Sequence, residues 1–175
     1  MAACRAMSPA CLALLLPLLV SATPDAGPTR DPLAALAPLL GRWVAEPDPN
    51  APGVTGWTTF SRDLGDRVVV RRNHASYPAK DGKPASEHDD LVVLFSEGGR
   101  LRAEYFDSEG HVIRYEVQAP AANRLVLLSE PSAGGPRFRL TYAWPTAGKL
   151  ELAFEVAPPG TTEFRPYISA RLRRE

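Results

Sequence analysis

Cysteine is nearly absent from this chain. Its 175 residues hold two, Cys4 and Cys11, both inside the first 22 positions. Those positions read as a secretory signal: Arg5 is the only charge before Asp25, Leu12 to Val20 is an apolar run, and Val20-Ser21-Ala22 is a small-x-small cleavage site. Cleavage is expected after Ala22, with Ala26 as the alternative. The processed chain then has no thiol, no disulfide and no cysteine metal ligand, so its core alone must hold it together. Charge of one sign is also missing, with 20 Lys+Arg against 20 Asp+Glu; removing Arg5 leaves 19 against 20. Such a balance excludes the basic footprint of a nucleic-acid-binding protein. No hydrophobic run reaches the roughly 20 residues of a membrane-spanning helix. The expected address is secreted or periplasmic.

Helical periodicity is scarce too, and the 18 prolines keep helices short. Residues 23–30, with Pro24, Gly27 and Pro28, read as a flexible leader, and 31–175 as one domain. Asp31-Pro32 offers an N-cap and a first-turn proline, and Leu33, Leu36, Leu39 and Leu40 share a face, predicting one short helix. From Gly41 onward the pattern is alternation. Leu101, Ala103 and Tyr105 alternate with arginine and glutamate, as do Ile113, Tyr115 and Val117; Phe138 to Trp144 and Leu150 to Val156 behave likewise. Turn residues punctuate these runs at Gly98-Gly99, Ser108-Glu109-Gly110, Gly134-Gly135-Pro136, Ala147-Gly148 and Pro158-Pro159-Gly160. With further candidates at 41–46, 54–62, 66–76, 87–96, 124–130 and 167–173, the fold class is all-β. The expected architecture is an antiparallel up-and-down barrel of eight to ten strands after a short N-terminal helix. A two-sheet sandwich is the alternative.

Hairpin arithmetic places polar groups. A Gly98-Gly99 turn pairs Glu97 with Arg100, hence Leu94 with Ala103 and Asp90 with Asp107. A turn at 108–110 pairs Tyr105 with Ile113, Ala103 with Tyr115 and Asp107 with His111. If Ala103 and Tyr105 face inward, so do His88, Asp90, Asp107 and His111. The strand before them is expected to contribute Val68, Val70, Arg72 and His74. All three histidines of the chain, His74, His88 and His111, then gather at one mouth with Asp90, Asp107 and Arg72, above Tyr105, Tyr115 and Tyr142. Inward ionisable groups are costly unless paired or solvated, so this cluster is the candidate site.

Three readings follow from it. A small, mostly apolar or aromatic ligand would be bound by Arg72, His74, His88, Asp90, Tyr105, Asp107, His111, Tyr115 and Tyr142. An enzyme, a hydrolase or isomerase, would use His74, His88, Asp90 and His111 for acid–base chemistry. A metal would be held by His74, His88 and His111. A filled structural barrel is the plain alternative to all three. There is no Gly-x-Ser-x-Gly motif and no phosphate-cradling glycine loop.

The run Leu36-Ala-Pro-Leu39-Leu-Gly41-Arg-Trp43 resembles the opening of lipocalin-like (calycin) barrels, especially small exported bacterial barrels that begin Leu-x-x-Leu-x-Gly-x-Trp. The stretches Asp63-Leu-Gly-Asp-Arg67 and Tyr105-Phe-Asp107-Ser-Glu-Gly110 are similar to theirs as well. The resemblance implies that Trp43 closes one barrel end with an arginine of the last strand, Arg171 or Arg173, against its ring. Haem-binding barrels of similar shape use a histidine near the C-terminus. This chain has none after His111, and no cofactor is expected.

Overall fold

A computed structural model describes residues 31–118 and 120–175. The signal, its cleavage site and the 23–30 leader lie outside the described residues.

Ten antiparallel strands close into a single barrel in which every strand pairs with its chain neighbours and the first pairs with the last. They are β1 (Gly41–Ala45), β2 (Thr55–Asp63), β3 (Val68–Tyr77), β4 (Ser86–Glu97) and β5 (Arg100–Asp107). The second half supplies β6 (Val112–Val117), β7 (Arg124–Ser129), β8 (Arg137–Ala143), β9 (Lys149–Ala157) and β10 (Arg165–Arg174). The closure excludes the sandwich. Strand ends fall within two residues of the positions expected from turn chemistry. Two-residue turns need the mirror-image twist, and Gly98 and Gly99 supply it with φ of 56° and 75°.

One end of the barrel is plugged. The helix at Pro32–Leu39 is a 3-10 helix, capped by the Asp31 carboxylate, which accepts from the Leu33 N–H at 2.9 Å. Leu33, Leu36 and Leu39 are buried, each stabilising the plug by about 1.5–3 kcal/mol. Trp43 donates its indole N–H to the Leu39 carbonyl at 2.7 Å. The Arg174 guanidinium lies 4.4 Å from the Trp43 ring centroid and donates to the Leu40 and Pro38 carbonyls at 2.7 and 2.8 Å. The arginine over Trp43 is thus Arg174, not Arg171 or Arg173. Leu172 faces the core, and strand alternation carries Arg174 to the same side. Gly41 is required here: its φ is 118°, and a β-carbon on it would come within 2.8 Å of the Arg174 guanidinium.

Above this plug the interior is filled by Phe60, Val69, Val92, Leu94, Leu125, Leu127, Leu140 and Leu150. The loops 46–54, 78–85, 108–111, 130–136 and 158–164 share the opposite end, the mouth.

Candidate functional site

The hairpin registers of β4, β5 and β6 are those expected. Asp90 faces Asp107, Leu94 faces Ala103, Tyr105 faces Ile113 and Ala103 faces Tyr115. His88, Asp90, Tyr105 and Asp107 therefore point inward at the mouth, and His111 follows the turn beside them.

β3 runs in the other phase. It pairs Val69 with Leu94, Arg71 with Val92, Asn73 with Asp90 and Ala75 with His88, so its odd positions face inward. Arg72 and His74 are outside the barrel, and they drop out of the ligand, catalytic and metal sets. His74 stacks on Trp57 with centroids 5.9 Å apart and meets Asp89 at 2.9 Å on the outer face. The apolar run Val68-Val69-Val70 fits either phase, and the next two residues are both arginine; nothing in β3 alone distinguishes them. The inward cation is Arg71, which sequence reasoning missed.

Arg71 is 3% exposed. Its Nη1 pairs with Asp90 Oδ1, its Nε donates to the Thr58 hydroxyl at 2.9 Å, and its guanidinium stands 5.7 Å from the Tyr142 ring centroid. Asp90 accepts a second hydrogen bond from Asn73 Nδ2 at 3.1 Å. Burial nevertheless holds the Asp90 carboxyl above its ordinary value, outweighing Arg71, His88 and Asn73.

Nearer the rim, the His88 ring lies between carboxylates: Nε2 is 3.4 Å from Asp90 Oδ2, and Nδ1 is 2.9 Å from Glu109 Oε2. The Tyr105 hydroxyl donates to Asp107 Oδ2 at 3.1 Å and is 3.3 Å from His88 Nε2. Burial first, then Asp90 and Asp107, push that phenol upward. Asp107 is opposite in sign to Asp90. Burial works to raise it, but the His111 backbone N–H at 2.8 Å, the His111 ring at 2.8 Å and the Tyr105 hydroxyl hold it below the ordinary range. Glu109 was not among the expected site residues; the turn that carries it aims its carboxylate back at His88.

Deeper in the barrel, Tyr115 and Tyr142 are each 1% exposed, and neither hydroxyl has a hydrogen-bond partner among the described residues. Burial raises both phenols. The opposite wall of the mouth is apolar. Phe138 and Phe154 stack with centroids 5.8 Å apart, Tyr167 meets Phe154 edge-on at 6.0 Å, and Ile168 faces Phe154 across the β9–β10 ladder.

Two surface hollows lie elsewhere. One, of about 520 Å³, runs along the outer face of β8, β9 and β10; another, of about 460 Å³, lies at the plugged end beside Trp144. Neither contains a histidine. Among the described residues no helix is long and apolar enough to cross a membrane. No family model matches the chain, and a search of curated proteins finds no match.

Proposed function

We propose that this chain is an exported carrier barrel of the lipocalin-like kind, which holds a small, mostly apolar or aromatic ligand in the upper half of its interior. The observation that carries the reading is the pair of unpartnered hydroxyls on Tyr115 and Tyr142. A buried hydroxyl without a partner costs about 1–3 kcal/mol. A ligand with one hydrogen-bonding group recovers that cost. The mouth matches such a molecule, with the Phe138–Phe154 stack for its apolar body and tyrosines beside the Arg71–Asp90 pair for its polar end. The plugged end, with Trp43 held by Arg174, supports the likeness to lipocalin-like barrels.

The test is titration with the apolar dye 8-anilinonaphthalene sulfonate, followed by its displacement by small aromatic alcohols and ketones. One saturable equivalent is expected, with displacement weakened about tenfold in Tyr115→Phe and Tyr142→Phe. A folded barrel that takes up no dye overturns the reading. Tryptophan quenching is a poor readout, because Trp43 and Trp144 lie at the plugged end and Trp57 stacks on His74 on the outer face.

A second reading, a hydrolase or isomerase, is favoured by the contact of the Tyr105 hydroxyl with both His88 and Asp107, a proton path open to the mouth. Turnover of an ester or an enolisable ketone, lost in His88→Gln, would replace the carrier reading.

A further inference from the structure

Two carboxylates at the mouth lack a permanent cation. Asp90 has Arg71, but the basic partners of Asp107 and Glu109 among the described residues are histidines only: His111 at 2.8 Å from Asp107, and His88 at 2.9 Å from Glu109. Donor atoms of His88, Asp107 and Glu109 all lie within 4.8 Å of one another. Tetrahedral bonds of about 2.1 Å separate ligand atoms by roughly 3.4 Å. Convergence therefore asks only a small inward turn of side chains, two of them carried by or next to the 108–110 turn.

The surroundings of His88 match what a metal-bound imidazole needs. A ligating histidine binds through one ring nitrogen while the other donates to a fixed carboxylate, which sets tautomer and ring orientation. Here Glu109 lies on Nδ1 and Asp90 on Nε2. Asp90 is itself pinned by Arg71 and Asn73, so it orients the ring rather than joining the ligand set. His111 stands on Asp107 from the solvent side, 70% exposed and free to turn.

We propose that His88, Asp107 and Glu109, with His111 as fourth donor, form a binding site for a divalent transition metal of the zinc class. Mixed imidazole and carboxylate donors select such ions over magnesium and calcium, which prefer oxygen alone. A zinc ion there neutralises the two carboxylates that the fold leaves facing histidines. The site stands independently of any ligand inside the barrel.

The experiment is calorimetric titration of the metal-stripped chain with zinc chloride, repeated with magnesium chloride. One equivalent of zinc is expected, with a dissociation constant in the micromolar range or tighter, and no comparable magnesium binding. His88→Ala and Glu109→Gln should each weaken zinc at least tenfold, whereas His74→Ala, on the outer face, should leave it unchanged. Glu109 lies on an exposed turn, so its variant remains informative if His88→Ala misfolds. Absence of stoichiometric zinc binding overturns the proposal. So do zinc binding that survives both variants, an equal loss in His74→Ala, and magnesium binding as tightly as zinc. Dye displacement in the presence of a chelator reports on the carrier reading separately, so failure of one does not entail failure of the other.

Discussion

The two ends of this barrel use the same residue types for opposite purposes. At the plugged end an arginine and an indole are both satisfied by backbone carbonyls, with Arg174 on Leu40 and Pro38 and Trp43 on Leu39, over three buried leucines. At the mouth an arginine is buried against an aspartate, two carboxylates have histidines as their only basic partners, and two tyrosine hydroxyls below have no partner, all among the described residues. The first arrangement spends polar groups on closure. The second carries a surplus of polar capacity that folding alone does not use. Natural proteins accept such local cost where they bind or react, and recover it elsewhere.

The contrast can be broken most sharply at its two extremes. Breaking the Arg71–Asp90 pair by Asp90→Leu strands a buried guanidinium and is expected to cost about 3–5 kcal/mol. The double variant Arg71→Met/Asp90→Leu should recover most of that loss. Denaturant unfolding of the double-mutant cycle checks both. Leu36→Ala in the plug should cost about 2–5 kcal/mol without altering dye or zinc binding at the mouth. A plug variant that abolished binding while the barrel stayed folded would erase the distinction between the ends.

Smaller effects sharpen it. Tyr142→Phe removes an unpaired hydroxyl and should stabilise the chain by up to about 1–2 kcal/mol, seen as a raised melting temperature together with weaker displacement. Loss of stability there would mean the hydroxyl has a partner in solution. The smallest effect is in pH. Asp107 is held below the ordinary carboxylate range, so its contribution to stability is present above about 4 and fades as pH falls through its lowered folded value. Asp90 is held above its ordinary 3.8, so its contribution is present at lower pH and is lost as pH rises from there to its raised folded value. Asp107→Asn should therefore remove part of the acid-side loss, measured as a flatter unfolding midpoint as pH falls below about 4.

The barrel was legible because alternation and glycine turns are local. Gly98-Gly99 alone decides the β4–β5 register, and with the 108–110 turn it carries His88, Asp90, Asp107 and His111 to one side. The phase of β3 was not legible, since three valines and two arginines in a row read the same when shifted by one. Its register is set by backbone pairing across the long 78–85 connection, where Lys80 and Lys83 form a bridge of their own. Arg174 was readable in principle, because Leu172 two positions earlier is apolar and alternation fixes the rest. Glu109 was hidden in its turn, where side-chain direction depends on local backbone rather than on strand parity. The unpartnered tyrosines were placed on the interior correctly, but no sequence pattern announces a missing hydrogen bond.

Closure of the barrel depends on β10, which supplies the second side of β1 and brings Arg174 to the Leu40 carbonyl across 134 positions of chain. A chain delivered N-terminus first keeps β1 as an open edge until its final segment arrives. Contacts of such long sequence separation form slowly. Until then nine paired strands would leave two open rims, the free edges of β1 and β9, prone to joining their neighbours. Shortening the chain from residue 165 would make that transient form permanent, with edge-to-edge association as its outcome.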